Sequence, residues 1–108
     1  MILDVHVSAG GVTPEAVADE VAAALGIEVS ADERGNPKLT PPGGLVRVAR
    51  LGYDRAVVYA EVRSDTAALA WQVYDALVAR TSWDVTLLDT SDDHPEDVVL
   101  RSRVRNAA

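Results

Sequence analysis

A chain of 108 residues, 48 % hydrophobic and 25 % charged, has the make-up of one folded domain over residues 1–108 and not of a disordered tail. Seventeen acidic against ten basic residues leave a net charge of −7, which works against a nucleic-acid partner held through its phosphates. With no cysteine there is no disulfide frame or Cys-type zinc site, and no apolar run nears the roughly 20 residues of a membrane span.

Ile2 to Ser8 alternates, with Leu3, Val5 and Val7 on one face and Asp4, His6 and Ser8 on the other. That is the pattern of a strand covered on one side. After Gly10-Gly11, Thr13 is placed as a helix N-cap, Pro14 as the first helical residue and Glu15 near the positive end of the dipole. Val17, Val21, Ala24 and Leu25 recur on one face, and Gly26 is placed to end the helix.

Ile27 to Ala31 reads as a short strand. Asp32 to Gly44, with three prolines and three glycines, reads as a mobile loop without structure of its own. Leu45 to Leu51 and Ala56 to Arg63 form a hairpin; on the second arm Val57, Tyr59, Glu61 and Arg63 share one face.

Ser64-Asp65-Thr66 supplies cap residues for a second helix over Thr66–Arg80, striped by Leu69, Val73, Ala76 and Leu77. Trp83 to Leu88 returns as a strand, and Trp71 and Trp83 read as core or core-edge residues. Asp89 to Asp97 is acidic and turn-like. Residues 98–108 form a C-terminal extension in which 98–105 suits a helix or a strand, and the Val-Val-Leu run favours the strand.

The order strand, helix, two or three strands, helix, strand implies an α+β fold. Its expected form is a ferredoxin-like split βαβ sandwich, two helices on one face of a mainly antiparallel sheet. In that plan the first strand lies beside Ala56–Arg63, so Asp4 and His6 stand next to Tyr59 and Glu61 on the helix-free face.

His6 between carboxylates and a phenol has the chemistry of an acid or base near neutral pH, but one strand-borne His is as well explained as polar cover, and no catalytic residue is assigned. The carboxylates of 89–97 do not follow the EF-hand spacing, so no metal is assigned. Gly10-Gly11 lacks both the dinucleotide fingerprint and the P-loop pattern, and no cofactor is assigned. A serine nucleophile elbow is absent, and Tyr59 alone on the sheet face is too little for RNA stacking. The chain is expected not to be an enzyme.

From Thr81 to Asp97 there are six carboxylates and no Lys or Arg. The first reading is therefore an acidic protein-binding module, of the physical type of immunity proteins and antitoxins that neutralise a basic partner. Its partner-binding residues are expected to be Asp84, Asp89, Asp92, Asp93, Glu96 and Asp97, with Asp4, His6, Tyr59 and Glu61 on the open face. The alternative is a small-molecule-binding or enzymatic domain using the face around His6 and Tyr59. Pairing of two copies through the sheet face or an edge fits either reading. A cytoplasmic location is expected because Met1-Ile2-Leu3-Asp4 lacks a basic leader start.

Overall fold

The computed structural model describes residues 1–90 and 98–104. In chain order the elements are β1 (Ile2–Ser8), α1 (Pro14–Leu25), β2 (Ser30–Ala31), β3 (Pro37–Leu39) and β4 (Gly44–Arg50). They continue with β5 (Val57–Ser64), α2 (Ala68–Arg80), β6 (Asp84–Asp89) and β7 (Val98–Arg103). The fold is α+β: a seven-stranded antiparallel sheet in the order β2-β3-β4-β5-β1-β6-β7, with two helices.

The helices form where local chemistry directs them. Thr13 is extended and its Oγ1 accepts from the N–H of Ala16 at 3.1 Å, Pro14 opens α1, and Gly26 closes it at a φ of 69°, where an L side chain would be strained. α2 starts at Ala68, two residues later than its cap sequence suggests. Ser64 and Thr66 build the turn that precedes it: the Ser64 hydroxyl donates to the Thr66 carbonyl, and the Thr66 hydroxyl accepts from Ala68 N–H at 3.3 Å.

Alternation then sorts the sheet into two faces. Leu3, Val5, Val7, Val46, Val48, Val58, Ala60, Val62, Val85 and Leu87 are buried, in one cluster with Val17 and Val21 of α1 and Leu69, Val73 and Leu77 of α2. Trp71 and Trp83 are partly buried at its margin. Burying each such Val or Leu is worth roughly 1.5–3 kcal/mol, so this side is the stabilising one. Among the described residues no helix lies on the opposite side.

Two expectations are corrected. The stretch 32–44 is not structureless: Ser30–Ala31 and Pro37–Leu39 make a hairpin, and β3 goes on to pair with β4 through Lys38↔Arg47 and Leu39↔Val46. Its proline and glycine content masks a short alternating run in which Pro37 and Leu39 are buried while Lys38 is not. Leu39 sits fully in the core, which gives the hairpin an anchor that local propensity does not reveal. Next, the strand expected over Ile27–Ala31 is reduced to its last two residues, because Ile27 continues the helix cap, donating its N–H to the Ala22 carbonyl at 3.2 Å.

Strand β7 is extended, as its Val-Val-Leu run suggests, but strict alternation fails along it. A register shift opposite Leu87/Leu88 sets Val99 against Leu88 and Ser102 against Thr86, so a bulge absorbs one residue and both side chains lie on the same face. Arg101 and Arg103 turn to the helix side. The Arg101 guanidinium lies 5.2 Å from the Trp71 ring centroid. Arg103 donates to the carbonyls of Val78, Thr81 and Trp83 at the C-terminus of α2.

Candidate functional site

β1 lies between β5 and β6, and the register sets Asp4 opposite Glu61 and His6 opposite Tyr59. All four side chains stand half-buried on the helix-free face, so the structure brings together the group singled out in the sequence. His6 Nε2 is 3.8 Å from Asp4 Oδ2, and the His6 and Tyr59 rings meet edge-on at 6.4 Å between centroids. Burial pushes the Tyr59 hydroxyl pKa up, and the charges of Glu61 and Asp4 add to it.

The face is not plain acidic cover. Reading across the sheet, Lys38 pairs with Arg47, Arg47 with Glu61, Glu61 with Asp4, and Asp4 with Leu88. Two cations thus stand beside two anions in one row. Glu61 is already engaged, accepting from Arg63 Nε at 2.9 Å. Asp4 Oδ1 and Arg47 Nε are both buried without a hydrogen-bond partner among the described residues.

The β2–β3 turn overhangs this row. Asp32 organises it: Oδ1 accepts from the N–H groups of Arg34 and Asn36 at 2.8 and 3.0 Å, and the Asp32 N–H donates to the Asn36 carbonyl at 2.9 Å. Desolvation pushes the Asp32 carboxyl up, but these two backbone donors and the charges of Arg47 and Arg34 outweigh it, so its pKa is lowered.

Between turn and sheet lies a cleft of about 250 Å³ lined by Asp32, Arg34, Asn36, Arg47, Tyr59 and Arg63 among others. A second cleft, of about 620 Å³, shares Arg34, Asn36, Ala49 and Tyr59 with the first and adds Glu15, Arg50 and Arg55. Tyr59 lines both; His6 lines neither.

Of the remaining residues named from the sequence, Asp84 and Asp89 lie half-buried at opposite ends of β6, against Ser8 and Leu3 of β1, and neither is free of interactions. Asp92, Asp93, Glu96 and Asp97 fall outside the described residues. Among the described residues no group of three or more His, Asp or Glu is arranged to hold a metal ion, and no helix is long and apolar enough to cross a membrane.

Sequence reasoning passed over Arg34, Arg47, Arg50 and Arg55. The signal for Arg47 was present, since it falls between Val46 and Val48 and must therefore face away from the core. Arg34 was not within reach, because its place depends on a hairpin read as loop. Neither a scan against protein-family models nor a comparison with curated proteins finds a match to this chain.

Proposed function

We propose that this is a ferredoxin-like domain that binds a small polar molecule on the helix-free face of its sheet, at the paired clefts around Tyr59. The strand order β4-β5-β1-β6, with α1 connecting β1 toward β4 and α2 connecting β5 to β6, supports the split βαβ plan. The observation that carries the ligand reading is the overhang: a hydrogen-bonded turn held above a sheet face, enclosing Tyr59, Arg47 and Asn36. The larger cleft, about 620 Å³, lies in the volume range of ligand sites. The polar lining of both clefts suits a charged or hydrogen-bonding molecule and not an apolar one.

The test is a thermal-shift and NMR screen of small polar molecules against the labelled protein. Binders are expected to move the backbone signals of Arg34, Asn36, Arg47 and Tyr59 together, and Tyr59→Ala is expected to abolish the effect in a protein whose spectrum still shows the folded sheet. Binders whose shifts map elsewhere, or the absence of any binder, would overturn the reading.

A second reading keeps one observation on its side. The net charge of −7, with six carboxylates and no Lys or Arg from Thr81 to Asp97, supports association with a basic protein steered by charge. That reading demands that charge reversal at Asp92 and Asp93 slow association, and that added salt slow it too.

A further inference from the structure

Five guanidinium groups line the two clefts, those of Arg34, Arg47, Arg50, Arg55 and Arg63, against four carboxylates, those of Glu15, Asp32, Glu33 and Glu61. The whole chain has the opposite excess, seventeen acids to ten bases. Around these clefts cations therefore slightly outnumber acids in an acidic protein.

Two of the four carboxylates are committed to the fold. Asp32 is spent on the backbone N–H groups of Arg34 and Asn36, and Glu61 on Arg63. Toward the smaller cleft there remain the exposed Glu33, which can turn to solvent, and two donors: the Arg47 Nε–H, buried without a partner among the described residues, and the exposed Arg34 on the β2–β3 turn. A buried charged donor left unsatisfied is costly, so an acceptor that reaches it is favoured. Guanidinium groups present a planar fork that matches carboxylate and phosphate oxygens.

We infer that the smaller cleft holds the anionic headgroup of the ligand, a carboxylate or a phosphate, gripped by Arg47 from the sheet and Arg34 from the turn. The rest of the molecule lies over Tyr59 toward Arg50 and Arg55 in the larger cleft. This rests on the ligand-binding reading above and adds the chemical class.

The experiment is an NMR titration at constant ionic strength with inorganic phosphate in one arm, succinate in a second and choline in a third. The Arg47 Nε–H signal is followed directly, together with the amides of Arg34, Asn36 and Tyr59. Phosphate, succinate or both should give saturable shifts and choline none; the stronger arm identifies the headgroup. Arg47→Gln, and separately Arg34→Gln on the exposed turn, should each weaken binding by at least about tenfold with the remaining spectrum unchanged.

Shifts that persist in both variants, that do not saturate, or that choline reproduces would overturn the assignment. If phosphate and succinate fail up to tens of millimolar while a neutral or cationic molecule shifts Tyr59 and its neighbours, the anion assignment falls and the ligand-binding reading stands. If nothing small shifts that face, both fall.

Discussion

Replacing Arg103 by alanine isolates the contact that fastens β7 to the helix layer. Its guanidinium makes four hydrogen bonds to three carbonyls: Nε and Nη2 to Trp83 at 3.0 and 2.7 Å, Nη2 to Thr81 at 2.9 Å and Nη1 to Val78 at 3.3 Å. Hydrogen bonds involving a charged partner are worth roughly 1.5–3 kcal/mol each, but these do not add. Two converge on one carbonyl, one is long, and the half-exposed site lets water replace part of the loss. A cation at a helix C-terminus contributes a further ~0.3–1 kcal/mol. The expected destabilisation of Arg103→Ala is therefore about 2 kcal/mol, or roughly 8–16 °C in melting temperature for a domain of this size.

Urea unfolding measures it, and hydrogen exchange should show the β7 amides losing protection more than those of β1 and β5. Arg103→Lys should recover less than half, since an ammonium does not span three carbonyls as a planar fork does. Because the acceptors are neutral, added salt should leave the contribution largely intact, unlike a surface ion pair. An Arg103→Ala protein with unchanged midpoint and unchanged β7 protection would refute the reasoning.

Further outcomes follow from other contacts. Leu39→Ala should cost about 2–5 kcal/mol, measured by denaturant unfolding; a neutral result would mean that β3 does not anchor the hairpin. Gly44→Ala should destabilise by roughly 1–3 kcal/mol, because the added methyl would press on the Leu69 side chain and come within 3.0 Å of the Arg63 carbonyl. Val73, fully buried in α2, should not tolerate aspartate, and Val73→Asp should abolish cooperative unfolding. Absorbance titration should place the Tyr59 phenolate above the ordinary tyrosine range, and Asp4→Asn or Glu61→Gln should bring it down. The Asp32 carboxyl, its pKa lowered in the folded chain, should help hold the 32–36 turn above the usual carboxylate pKa, with that help lost as pH falls through the lowered value; carbonyl NMR of Asp32 reads this directly.

The parts of the fold carried by periodicity were legible in the sequence. Leu3, Val5 and Val7 against Asp4 and His6 fix one strand and its faces, and Thr13-Pro14 with Gly26 bounds α1 to the residue. Placing β1 beside β5 brought Asp4, His6, Tyr59 and Glu61 together on the helix-free face. What the sequence hid depends on pairing between distant segments. Pro37 and Leu39 look like loop until β4 supplies a neighbour, and the bulge in β7 exists only against Leu87 and Leu88. The clefts were hidden for the same reason: Arg34 meets Arg47 and Tyr59 only once the 32–36 turn folds back over the sheet.

The position of β1 has a consequence for how the chain acquires its structure. Its two neighbours are β5 and β6, so Leu3 aligns with Val62 on one side and Asp89 on the other. β1 thus becomes an inner strand whose partners lie far along the chain, from Val57 in β5 and from Asp84 in β6. Pairings of that reach require large loops to close before they are rewarded, which slows folding relative to a helical bundle of equal size. A chain cut before residue 84 would leave β1 with a bare apolar edge, so fragments shortened from the C-terminal side should aggregate well before the binding face itself is touched.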